Sequence, residues 1–170
     1  MSRTRTFSLA LALALLVGLL AAAAPAGAGT ANILRARTMV GVPQAFTGST
    51  NASLIRGVPG GGIPWTVGRS RVRLSVNGHL VVRVHGLVLA SGDAVGTNPI
   101  GSFRAIVSCL TSDATVANVI TDPFPATTGA VMDGGGNARF EGDVSLPDPC
   151  IAPIVFVTSP TGAWFASTGG

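Results

Sequence analysis

Two stretches of two-residue alternation limit the fold more than any other feature of the chain. In "RVRLSVNGHLVVRV" and in "NARFEGDVSL", apolar and polar side chains change places at most steps, with Asn77-Gly78, Val81 and Gly142 as the exceptions. That is the period of a strand with one dry face and one wet face. The remaining apolar residues after position 29 fall in short runs separated by Gly, Pro, Asn, Asp or Ser. Strands are predicted near residues 33–40, 52–56, 64–68, 70–76, 79–90, 103–110, 115–121, 138–146, 153–158 and 163–167. Such spacing predicts an all-β chain, an antiparallel β-sandwich of immunoglobulin-like or jelly-roll-like type, rather than alternating helix and strand. Residues 112–120, "SDATVANVI", also fit a short capped helix.

Asn77-Gly78 between the alternating runs signals a hairpin, and the loop length decides which faces meet. A two-residue loop sets the two apolar stripes on opposite faces. A three-residue loop, Val76-Asn77-Gly78 with the glycine in a left-handed bulge, pairs Leu74 with Leu80 and Val72 with Val82, so Val84 joins them on one face. Each of those side chains contributes about 1.5–3 kcal/mol when fully buried. Arg71, Arg73, His79, Arg83 and His85 then share the wet face with Val81. The two histidines lie about 20 Å apart on their strand, too far to hold one metal ion. The same alternation puts Ala138, Phe140, Val144 and Leu146 on a dry face, with Gly142 leaving a gap there. Phe103, Ala105, Val107 and Cys109 share another, which suits Cys109 to an inter-sheet bridge.

The N-terminus reads as an export signal: Arg3 and Arg5, an apolar run from Phe7 to Ala24, then Ala26-Gly27-Ala28 with cleavage after Ala28. The alternative is an uncleaved anchor, since that run is about long enough to span a bilayer. Residues 1–28 are therefore expected to leave, and 29–170 to form a single secreted domain of 142 residues (170 minus 28). Nine arginines and seven acids remain, a net charge of about +2 with no lysine, too weak overall for a nucleic-acid footprint. Cys109 and Cys150 are the only cysteines, and in an exported chain they predict one disulfide. Closing a loop of about 40 residues destabilises the unfolded chain by roughly 4 kcal/mol. "LPDPC" lacks the features of a covalent wall-sorting signal.

Chemistry-bearing motifs are sparse. The chain has neither a Gly-x-Ser-x-Gly elbow nor a His-Glu-x-x-His pair. "GVPGGGIP", residues 57–64, lacks the Gly-Lys-Ser/Thr ending of a phosphate cradle and reads as a loop, as does "DGGGN", residues 133–137, where flexibility is expected. Asp133 and Asn137 could offer oxygens to calcium, without EF-hand spacing. Trp65 and Trp164 could stack on sugars if exposed, though core packing is the usual fate of Trp. Asn51-Ala52-Ser53 matches the glycosylation acceptor pattern. Glu141 and Asp143, about 7 Å apart on one strand face, match the separation of an inverting glycosidase pair.

"IRGVPGGGIPWTV", "HGLVLA", "VGTNPIGSFRAIVSC" and "LPDPCIAPIVFVTSPTGAWFASTGG" together resemble a group of small secreted bacterial all-β proteins with no known activity. The alternation of "LVVRVHGLVLA" is similar to that of chordin-type domains, also all-β, although their closely spaced histidines are missing. The resemblance implies export and a β fold and carries over no functional residue. No catalytic, cofactor-binding or metal-ligating residue is predicted, and no cofactor. The expected function is a secreted, non-enzymatic binding module, free or held non-covalently at the cell envelope, with an envelope polymer or protein as partner and neither nucleic acid nor membrane. Its Gly/Pro loops and sheet edges would make the contacts. The alternative is a secreted hydrolase of envelope carbohydrate led by Glu141 and Asp143.

Overall fold

The computed structural model describes residues 31–48 and 53–169. The expected signal segment, its cleavage site after Ala28, and Asn51 and Ala52 of the glycosylation pattern lie outside the described residues. The chain is an antiparallel β-sandwich with one disulfide, Cys109–Cys150.

One sheet has four strands in the order β1 (Asn32–Ala36), β4 (Arg69–Ser75), β5 (His79–His85), β12 (Ala138–Asp143). Its central hairpin has the three-residue loop. Val72 pairs with Val82 and Leu74 with Leu80. Gly78 has φ +87° and donates its N–H to Ser75 O at 3.0 Å, and Ser75 Oγ accepts from His79 N–H at 2.9 Å. The strand expected over 79–90 breaks at Gly86, φ +64°. Beyond it, β6 (Val88–Leu89) pairs instead with β3 (Trp65–Thr66).

The second sheet runs β2 (Val40–Gly41), β14 (Trp164–Ser167), β13 (Ile151–Thr158), β8 (Ser102–Leu110). The far edge of β8 is shared by β9 (Val116–Ile120) and β10 (Phe124–Pro125). Residues 116–120 are thus strand and not helix. Ala126, just after β10, bridges Ala138 of β12 and stitches the two sheets together along that side. The short pair β7 (Thr97–Asn98) and β11 (Gly129–Ala130) was not legible as strand, and residues 53–58 contribute one bridge, Ile55 to Val58, rather than a strand.

Between the sheets Val72, Leu74, Leu80, Val82 and Val84 meet Phe103, Ala105, Val107, Val155 and Val157, all with no exposed surface. Cys109 points into this core as expected, but its bridge is not inter-sheet. Cys150 precedes Ile151, which pairs with Leu110, so the disulfide links neighbouring strands of one sheet. The gap at Gly142 is filled by the ring of Phe140, which packs on Phe124.

The two sheets differ on their outer faces. In the second sheet the outward residues Ile106, Ser108, Phe156 and Trp164 are buried as well. Residues 42–48 and 53–64 cover them: Phe46, in a 3₁₀ turn (Gln44–Phe46), tilts against Trp164, and Arg56 Nη1 donates to Ser108 O at 3.0 Å. Gly60 and Gly61 are part of this cover, and a Cβ on Gly60 would strike Phe46 O. Much of the Gly/Pro loop is therefore packing material, with Val58, Gly60 and Gly61 buried, while Gly57, Gly62 and Ile63 stay exposed. "DGGGN" is packed too, for Gly135 and Gly136 are buried against backbone and Asn137 Oδ1 accepts from Gly86 N–H at 3.1 Å. Nothing covers the outer face of the four-stranded sheet among the described residues, and β5, β12 and β4 as far as Leu74 alternate between more and less buried positions.

Candidate functional site

On that open face the strand register sets arginines side by side. Arg71 on β4 is paired with Arg83 on β5, and Arg83 with Arg139 on β12. One step along, Arg35 of β1 is paired with Arg73. One step the other way, Arg69 is paired with His85. Arg37 completes the cluster beside Arg35, Arg71 and Arg73. Seven of the nine arginines after Ala28 thus share one face, with only Glu141 and Asp143 as acids among them. The face carries about +5 (seven minus two). The rest of residues 29–170, with Arg56 and Arg104 against five aspartates, carries about −3. The small net charge conceals a strongly polarised molecule.

Like charges directly opposite on neighbouring strands destabilise a sheet. Among the described residues only Arg139 has a carboxylate partner, Glu141 on its own strand. Arg83 Nε is buried and meets no acceptor there. A row of guanidinium groups with so little internal neutralisation is a local conflict of the kind that functional sites retain.

The two carboxylates have other engagements. His79 Nδ1 lies 2.9 Å from Asp143 Oδ1, and His79 Nε2 lies 3.9 Å from Glu141 Oε1. The hydrogen bond from Arg139, then its charge, hold Glu141 below the usual carboxylate range, against slight desolvation, with His79 and Arg83 adding smaller attraction. A glycosidase proton donor needs the opposite shift. The His79–Asp143 contact could not be read from sequence, because alternation assigns a face and not the strand that will lie next to it.

The other candidates disperse. Trp65 and Trp164 are buried; Trp65 stacks on Phe165 with centroids 4.0 Å apart, and neither offers a platform for sugars. Asp133 is exposed, while Asn137 Oδ1 is committed to Gly86 N–H, which splits the calcium pair. Among the described residues no group of three or more His, Cys, Asp or Glu is arranged to hold a metal ion. His79 and His85 stand at opposite ends of β5.

Comparison of the chain with protein-family models, curated proteins and solved structures returned no match. Fold and surface together define a class, a disulfide-linked β-sandwich with one covered sheet and one open, arginine-bearing sheet.

Proposed function

We propose that this chain is an exported, non-enzymatic binding module, retained at the cell envelope through an anionic partner that sits on the open face of the four-stranded sheet. Kinship with small secreted bacterial all-β proteins belongs to the same proposal. The export part is supported by the Arg3–Ala28 pattern and by the disulfide, a bond that persists in oxidising compartments. The binding part is carried by one observation, the in-register row Arg71–Arg83–Arg139 on a face with only two carboxylates. Arginine is always charged and presents a planar fork of donors to oxyanions.

Co-sedimentation of the purified protein with isolated envelopes tests this. Binding is expected to fall at least about ten-fold between low and about 0.5 M salt, as cation–anion contacts are screened. The R71Q/R83Q/R139Q variant should lose binding by a similar factor while unfolding at an unchanged or higher temperature. Salt-insensitive binding, or a variant that binds like the wild type, overturns the proposal.

A further inference from the structure

Three adjoining hollows cross the open face, each between two neighbouring strands. The first, about 80 Å³ between β1 and β4, is walled by Arg35, Arg37, Arg71 and Arg73. The second, about 250 Å³ between β4 and β5, is walled by Arg69, Arg71, Arg83 and His85. The third, about 560 Å³ between β5 and the β10–β12 side, has Arg83, His85, Arg139 and Asn137 as its polar wall and Pro125, Ala126 and Ala138 as its apolar one. Arg71 divides the first from the second, and Arg83 divides the second from the third. No carboxylate lines any of them.

We propose that these hollows form one track that seats consecutive phosphodiester groups of a linear polyol-phosphate polymer, laid across the strands from β1 to β12. This rests on the anionic-partner reading above and adds the chemistry and direction of the partner. Neighbouring hollows are about 4.8 Å apart across the sheet, and alternate residues on a strand about 6.7 Å apart, so the track suits charges repeating every 5–7 Å or so. Each hollow has guanidinium groups on two adjacent strands. A phosphodiester's two non-bridging oxygens, set at the tetrahedral angle, can each accept from a guanidinium on one wall. Single-stranded nucleic acid is held by aromatic stacking platforms, and no Phe, Trp or Tyr lines the track. An anionic lipid surface would engage apolar side chains beside the cations, and none of the exposed large apolar residues, Met132 included, lines a hollow.

Titration calorimetry with glycerol-phosphate oligomers of one and three units tests the track. Affinity is expected to rise at least ten-fold from one unit to three, and R71Q or R83Q to remove most of that gain by cutting a shared wall. Polygalacturonate, oligothymidylate of equal charge and anionic phospholipid vesicles should each bind at least ten-fold more weakly than the three-unit oligomer. Equal affinity for the carboxylate polymer, the oligonucleotide or the vesicles overturns the proposal, as does indifference to length. Salt-sensitive envelope binding without oligomer binding would sink the track and leave the anionic-partner reading standing; loss of both would sink both.

Discussion

Gly78 shows how one residue fixes the geometry of the face. Its φ of +87° is open to glycine and strained for other residues, and a Cβ there would come within 2.0 Å of Val144 O. The same backbone N–H closes the turn that sets Arg71 opposite Arg83. Gly78→Ala should therefore destabilise the protein by at least about 1–3 kcal/mol, read by urea unfolding; an unchanged midpoint would mean that the loop is not the three-residue one. Glu141 makes a second test at this scale. Arg139 holds its carboxyl below the ordinary range, so its contribution to stability is present above the unfolded-state value and fades as pH falls through the lower, folded-state one. Asp113, lowered by hydrogen bonds from Thr111, its own backbone and Thr115, acts in the same direction. Unfolding between neutral and strongly acidic pH should show a shallower loss for E141Q than for wild type, and parallel curves would refute the pairing.

At the scale of the element, β4, β5 and β12 place three guanidinium groups in register, and stability should register the repulsion. R71Q is expected to gain about 0.2–1 kcal/mol at low salt. The gain should shrink in about 0.5 M salt as the screening length contracts, and thermal unfolding at both ionic strengths measures it. A destabilised R71Q would contradict this repulsion. The hairpin was legible because Asn77-Gly78 and the two apolar stripes admit only one register that buries both. The Arg83–Arg139 pairing was not legible, because the partner of β5 comes from more than fifty residues along the chain, and alternation in "NARFEGDVSL" marks a wet face without naming its neighbour. The disulfide pair could be read, but its setting could not. Cys109 does face inward, yet β13 joins the same sheet as β8, and nothing local to either cysteine encodes that adjacency.

At the scale of the molecule, the asymmetry between the sheets decides what is free to bind. Residues 42–48 and 53–64 cover one sheet, whose strand β8 is accordingly buried from Ala105 to Cys109 on both faces. Glycines at 60 and 61 look like an open loop in sequence, yet they permit that close approach. The other sheet stays single-sided and collects most of the positive charge. Arginine-selective dicarbonyl labelling of the native protein, with and without isolated envelopes and read residue by residue in a mass spectrometer, tests this division most directly. Arg69, Arg71 and Arg139 should react quickly in the free protein and be protected together when envelopes are present, while Arg56, bonded to Ser108 O, should be slow in both states. Slow labelling of that row in the free protein, or protection that falls elsewhere, would contradict an open arginine face as the binding surface.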